Sequence, residues 1–368
     1  MATWHASIRS AVVLATAAVF LACTGQALGN HEPVGACSPG FTNVKNVDLE
    51  TFFDGRSNLT ICLGGNLEDT IDHDVQWSNM SHVTVRSAPG TWRAIRSRIW
   101  MDQTSNDVTL YGLTLDSSRF DVVPGQSGIA INGDRIALKR NLITNNYGLA
   151  GSCITNDGDR GVSDDTIISV NRIYDCGQDE THDHGLYTNA MNRPIINANW
   201  IYENAGRGIN LGPTTYNARI TRNVIADNCA NPLGGANDCS ANMIYWGSTQ
   251  FTTFNNNTLA FPHFRYNLAG CDFSPDTPSC HEWTGSNNLV SHSCFYTTVS
   301  GYDGDPADSG ISSGWDEKFG RVDHATITVT DPQFANRTTP AHAWRDYRIP
   351  PSNACAAYQP TGHVGPPG

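Results

Sequence analysis

Asn199-Trp200-Ile201-Tyr202-Glu203-Asn204 is one of four copies of an Asn-x-Ile-x-x-(Asn/Cys) pattern, the others running from Asn141 to Asn146, Asn171 to Cys176 and Asn223 to Asn228. The copies start 30, 28 and 24 residues apart. A degraded copy follows at Asn257-Thr258-Leu259, and an earlier one, with Gly in the Asn position, begins at Gly112. Short apolar segments precede the copies, at Ile136-Ala137-Leu138, Ile167-Ile168, Ile195-Ile196 and Ile220. Another short strand pattern recurs at Gly128-Ile129-Ala130-Ile131, Gly185-Leu186-Tyr187 and Gly208-Ile209-Asn210-Leu211. Three short strands per repeat of roughly two dozen residues, with no helical periodicity between them, describe one coil of a parallel β-helix.

The Asn then has a structural task. At the same bend of successive coils its amide can bond the Asn above and below, and Asn tolerates the left-handed backbone a tight bend needs. Coils stacked at ~4.8 Å from about residue 80 to 300, at roughly 25 residues each, predict a rod of some eight coils. An open solenoid end exposes apolar core, so residues 30–80 are expected to cap one end. The stacked domain is expected over 81–331, and 332–368 as a closing segment and tail.

Composition agrees with an all-β chain. Of 368 residues, 34 are Gly and 33 Asn, while the helix formers Lys and Glu are scarce. Lys+Arg number 23 against 35 Asp+Glu, a net charge of −12, and no window is basic enough to bind phosphates, which excludes nucleic acid as a partner. At the N-terminus Arg9 precedes an apolar run from Ala11 to Leu21, too short for a membrane span of about 20 residues. Ala27-Leu28-Gly29 offers small residues before Asn30, so 1–29 reads as a signal peptide cut near Gly29, and the mature chain as a secreted monomer. Of the 11 Cys, Cys23 lies in this leader, leaving an even set that suggests disulfides in an exported chain. Cys37 with Cys62, Cys153 with Cys176 and Cys229 with Cys239 are local pairs. Cys271, Cys280, Cys294 and Cys355 admit any pairing.

The stretch Asp183-His184-Gly185-Leu186-Tyr187 followed by Asn199-Trp200-Ile201-Tyr202-Glu203-Asn204-Ala205-Gly206-Arg207-Gly208-Ile209 resembles a group of secreted bacterial right-handed parallel β-helix proteins of the pectate-lyase-like superfamily. The resemblance spans Ser81 to about Asp331 and is specific for fold. It implies a carbohydrate-active protein, since that superfamily includes polysaccharide lyases, hydrolases, epimerases and non-catalytic binding proteins.

Aligning the third strand of each coil on Ile129, Ile154, Leu186, Ile209 and Ile244 places Ala130, Thr155, Tyr187, Asn210 and Tyr245 outward. Two positions before the aligned residue, His184 and Arg207 fall on adjacent coils at the edge of the same face. A cation, a proton-transferring side chain and orienting amides are what a lyase or epimerase of an acidic glycan needs. On this basis His184, Tyr187 and Arg207 are the candidate catalytic residues, with Asn189, Asn210 and Tyr245 binding the sugar. Asp157, Asp159, Asp164, Asp165, Asp179 and Asp183 lie in two polar loops brought together by coil stacking, a donor set of the hard-oxygen type that takes Ca²⁺. The expected partner is an extracellular polysaccharide. The alternatives are a non-catalytic glycan- or surface-binding β-helix and a glycoside hydrolase.

Overall fold

In a computed structural model, the structure describes residues 35–69, 74–118, 127–148, 151–179, 182–230, 239, 241–245, 247–263, 266–270, 285–298, 310–312, 315, 319–335, 337 and 347–361. The signal-peptide segment lies outside them. Among the described residues of the unit Ala36–Gly368, parallel strands stack into two ten-stranded sheets, one eight-stranded sheet and a two-stranded pair, and successive coils add one strand to each of the long sheets except at the end where the third sheet is two strands shorter. This is the parallel β-helix that the repeat predicts.

The first sheet runs from Ser57–Leu63 to Gly320–Val322, the second from Leu67–Glu68 to Thr328–Val329, and the third from Val75–Trp77 to Tyr266–Gly270. Stacking therefore begins at Ser57, inside the stretch expected to be cap. Register aligns one inward column per sheet. In the first, Leu110, Leu138, Ile168, Ile196, Ile220, Phe254 and Val290 sit directly above one another. In the second, the column is Leu115, Ile143, Ile173, Ile201, Ile225, Leu259 and Phe295. All are buried, and each contributes roughly 1.5–3 kcal/mol by leaving water. The end is covered by the helix Leu49–Phe53, capped by Asp48, which lays Phe53 against Trp77 at 4.4 Å between ring centroids.

The Asn repeat forms the expected ladder. Asn141, Asn171, Asn199, Asn223 and Asn257 are fully buried, and each side-chain oxygen accepts the backbone N–H of the residue one coil earlier. A second ladder, Asn204, Asn228, Asn242 and Asn267, lines the next corner. The left-handed backbone is not where the sequence places it. Along the first ladder positive φ falls on the residue before each Asn, at Arg140, Val170, Ala198, Arg222 and Asn256, so the Asn itself stays out of the left-handed region. Val170, at φ 56°, is β-branched and pays about 1–2 kcal/mol for that conformation. Val170→Asn is expected to raise the unfolding free energy by about 1 kcal/mol in chemical denaturation; an unchanged or lower value would show that Val170's packing outweighs the strain.

Disulfides join Cys37–Cys62, Cys153–Cys176 and Cys229–Cys239, the three local pairs, and also Cys294–Cys355. Cys271 and Cys280 lie outside the described residues. The last bridge holds the C-terminal segment against the outward side of the second sheet. There Tyr347 stacks on Tyr202 at 4.5 Å and donates to Asp227 at 2.9 Å, while Arg337 pairs with Asp227 at 2.8 Å. This strap covers Trp200, Tyr202 and Val224, leaving the third sheet as a wall on which the sequence places its candidate site.

Candidate functional site on the third sheet

Inward residues of the third sheet are Val75, Ile99, Ile129, Ile154, Leu186, Ile209, Met243 and Leu268. The alignment read from sequence holds for the four strands from Ile129 to Ile209 and slips by one at the next. Met243, not Ile244, pairs with Ile209, and Tyr245 pairs with Leu211. A one-residue slip exchanges the two faces of a strand. Tyr245 is therefore in the core, 0% exposed and edge-on to Trp315 at 5.3 Å, and burial raises its hydroxyl pKa. Asn242, which an alignment on Ile244 would set beside Arg207, belongs instead to the second Asn ladder. The signal missed was Asn242 itself, whose ladder position fixes the register.

The outward column is thus Gln76, Trp100, Ala130, Thr155, Tyr187, Asn210, Ile244 and Ala269. Tyr187 is half-buried on it, and Asn189 follows at the end of the same strand. Burial, with the Asp157 carboxylate adding to it, pushes the Tyr187 hydroxyl above its ordinary range, so it holds its proton at neutral pH. Gly212 lies where a Cβ would come within 3.0 Å of the Tyr187 ring and closer still to the Thr188 carbonyl; only Gly lets the next coil pass there.

His184 and Arg207 do not reach this surface. They are 2% and 1% exposed, and both sit on the inward parity of their strands. His184 Nδ1 accepts the Arg207 backbone N–H at 3.2 Å, so the ring proton resides on Nε2. The Asn210 amide lies 2.9 Å from Nε2, and a protonated Nε2 requires an acceptor there, which assigns the amide oxygen to that position. Burial, with Arg207 and His182 adding to it, holds His184 well below its ordinary pKa. A neutral, doubly bonded imidazole packs edge-on to Tyr187 at 5.8 Å. It positions the face from behind and Asn210 from the side.

The carboxylates grouped as Ca²⁺ donors divide among separate partners. Asp157 caps the 3₁₀ turn Gly158–Arg160 and lies 3.2 Å from Arg160 Nε. Asp164 and Asp165 share Arg193 at 3.0 and 2.7 Å, and the Arg193 hydrogen bond holds Asp165 below the usual carboxylate range. Asp183 accepts the backbone N–H groups of Gln178 and Asp179 at 2.8 Å each; burial raises its pKa, with those bonds opposing. Asp179 lies 3.8 Å from His182, and Asp159 is exposed. Among the described residues no three His, Cys, Asp or Glu side chains converge on a metal position. A Ca²⁺ cage of six to eight oxygens does not fit this donor set.

Residues that the sequence reading passed over complete the face. Trp100 points outward between the inward Ile99 and Met101, a parity legible in Ile99-Trp100-Met101. Its indole donates to Asn132 at 3.1 Å, and the Arg160 guanidinium lies over its ring at 4.4 Å. Arg160 also reaches Asp74 at 3.5 Å, and its carbonyl accepts from Gln103. The loop Asp157–Gly161 is thereby folded back across the coils that carry Thr155, Ala130 and Trp100. Burial would raise Asp102, but bonds from Thr104, Ser78 and Gln76 outweigh it and hold the carboxyl below its ordinary range. Of the aromatics between residues 246 and 264, Phe254 is in the core, Phe261 is 7% exposed, Phe251 is 52% exposed, and Trp246 and Phe264 lie outside the described residues.

Among the described residues no helix is long and apolar enough to cross a membrane. No curated protein matches the sequence. Solved structures that match include the pectate lyase Pel9A, at 9% identity and TM-score 0.46, covering 81% of this chain and 80% of that one. The DFA-IIIase from Arthrobacter chlorophenolicus A6 in complex with GF2 matches at 11% identity and TM-score 0.40, covering 74% and 68%. A mutant of the periplasmic alginate epimerase AlgG matches at 11% identity and TM-score 0.36, covering 74% and 77%. Likeness at these identities is one of fold. A family model described as the right handed beta helix region matches residues 75–261, just over half of the 368 residues, and this chain belongs to that right-handed β-helix family.

Proposed function

We propose that the protein is a carbohydrate-active β-helix protein that engages an extracellular polysaccharide along the outward face of its third sheet. One observation carries this: Trp100 and Tyr187 stand on the same outward column three strands apart, about 14 Å at the spacing of stacked strands, with small Ala130 and Thr155 between them. Aromatic rings stack on sugar faces, and Asn132, Asn189 and Arg160 supply polar groups beside them. The disulfides are consistent with an extracellular setting.

In a lyase or epimerase acting on an acidic glycan, Tyr187, the half-buried hydroxyl on the face, would be the proton-transferring group, with Arg160 as the surface guanidinium. The non-catalytic reading is favoured by the burial of His184 and Arg207, which act as positioning residues. Incubation with a panel of neutral, anionic and amino glycans separates these outcomes. Unsaturated product detected by ultraviolet absorbance marks a lyase, new reducing ends mark a hydrolase, and binding without product marks a binder. Neither binding nor product with any glycan overturns the proposal.

Tyr187→Ala is expected to weaken glycan binding about tenfold, the ~1.4 kcal/mol typical of losing one aromatic platform, while leaving the circular dichroism spectrum and melting temperature nearly unchanged. Unaltered affinity would remove Tyr187 from the site.

A further inference from the structure

Charge on the third-sheet face selects among glycans. Asp74, Asp102, Asp157 and Asp159 stand on it or on its bordering loop against two guanidinium groups, Arg98 and Arg160. Both cations are committed to carboxylates. Arg98, with a side chain 2% exposed, lies 3.2 Å from Asp74. Arg160 lies between Asp157 at 3.2 Å and Asp74 at 3.5 Å, with its guanidinium carbon 4.4 Å from the Trp100 ring centroid. Asp102 is held by neutral donors, Gln76 at 2.9 Å and Ser78 at 2.7 Å, so its charge is not cancelled locally. Arg207, the cation that would receive a uronate carboxylate, is 1% exposed. Toward the rim, Arg193 answers Asp164 and Asp165. The surrounding molecule carries a net charge of −12, so a polyanion meets repulsion both at long range and at contact.

We infer that the polysaccharide bound on this face carries no carboxylate or sulfate groups, and that amino-sugar polymers with free amines bind more tightly than uncharged ones. The inference rests on the proposed glycan site and names its substrate class. Sugar rings on Trp100 and Tyr187 need no charge, while a glycan ammonium meets the exposed Asp159 carboxylate, with the buried negative charge of Asp102 beneath the same strip. A polyuronate would have to displace Arg160 from two carboxylates and a ring before gaining its first ion pair.

The test measures binding of the whole secreted chain to three soluble probes by isothermal titration: chitosan oligosaccharides, chitin oligosaccharides and polygalacturonate oligosaccharides. The expected order is amine, then neutral, with no measurable uronate binding. Asp159→Lys is expected to weaken the amine probe about threefold to tenfold and leave the neutral probe unchanged, and the difference should vanish in about 0.5 M salt. Uronate binding tighter than neutral binding overturns the inference while leaving the glycan site standing. An amine probe no tighter than the neutral one, or unaffected by Asp159→Lys, overturns the stated preference. Binding of no glycan at all, across these probes and the wider panel, removes the site and the inference together.

Discussion

Asn199→Ala is expected to cost about 3–5 kcal/mol of stability, more than any exposed substitution on this molecule. Its amide oxygen accepts both the backbone N–H and the side-chain Nδ2 of Asn171, at 2.9 and 3.0 Å, while its own Nδ2 donates to the Ile168 carbonyl and to Asn223. Removing it strands the Asn171 N–H in a site with no solvent access and takes a donor from the Ile168 carbonyl. Each orphaned buried group costs about 1–3 kcal/mol, and the vacated volume adds to that. Asn197, two residues earlier, accepts the Thr221 hydroxyl at 2.7 Å in a half-buried setting, so Asn197→Ala should cost about 1 kcal/mol or less. Urea denaturation of both variants makes the comparison. Because a solenoid coil contacts chiefly its neighbours, hydrogen exchange in Asn199→Ala should accelerate first in the strands around 167–226. Equal costs for the two variants would show that the ladder is not what holds the coils in register.

His184→Ala is expected to cost about 3 kcal/mol and to weaken glycan binding at the same time. It leaves the Arg207 N–H and the Asn210 amide without their common partner and takes the support from one edge of Tyr187. His184→Gln keeps a hydrogen-bonding side chain of similar reach and should recover part of both losses. The pH dependence separates this role from direct catalysis. In the folded chain burial holds the ring neutral, whereas in the unfolded chain it titrates near 6.5. Above that pH neither state takes a proton and the contribution to stability is complete. As pH falls below 6.5 the unfolded state alone binds a proton, so stability declines, approaching about 1.4 kcal/mol per pH unit. Unfolding free energies measured from pH 7.5 down to 5 should therefore fall more steeply for the native chain than for His184→Gln. Parallel slopes would contradict a buried neutral imidazole.

Parity and period made much of this legible. A residue that follows an inward apolar one in a strand must point out, and that placed Tyr187, Thr155 and Asn210 on the third-sheet face before any coordinates. The sequence reading put His184 and Arg207 at the edge of that face, although both lie two residues before an inward position and so share its parity; the structure buries them, at 2% and 1% exposure. Tyr245 went astray because Met243 and Ile244 are both apolar, so alternation alone fits either register; the ladder bonds of Asn242 decide it. The acidic loops misled for another reason. Proximity of coils brings Asp157, Asp164 and Asp183 to one side, but each is claimed by a different arginine or backbone turn.

The sequence by itself determined the solenoid, its Asn ladder and three of its disulfides, because these depend on residues recurring at one period and on pairs close along the chain. Only the tertiary structure decided that the left-handed bend falls one residue before each Asn of the first ladder, that Cys294 meets Cys355, and that Arg160 folds back over Trp100. Each of these joins side chains or backbone angles across coils, where spacing along the chain carries no information and contact in space carries all of it.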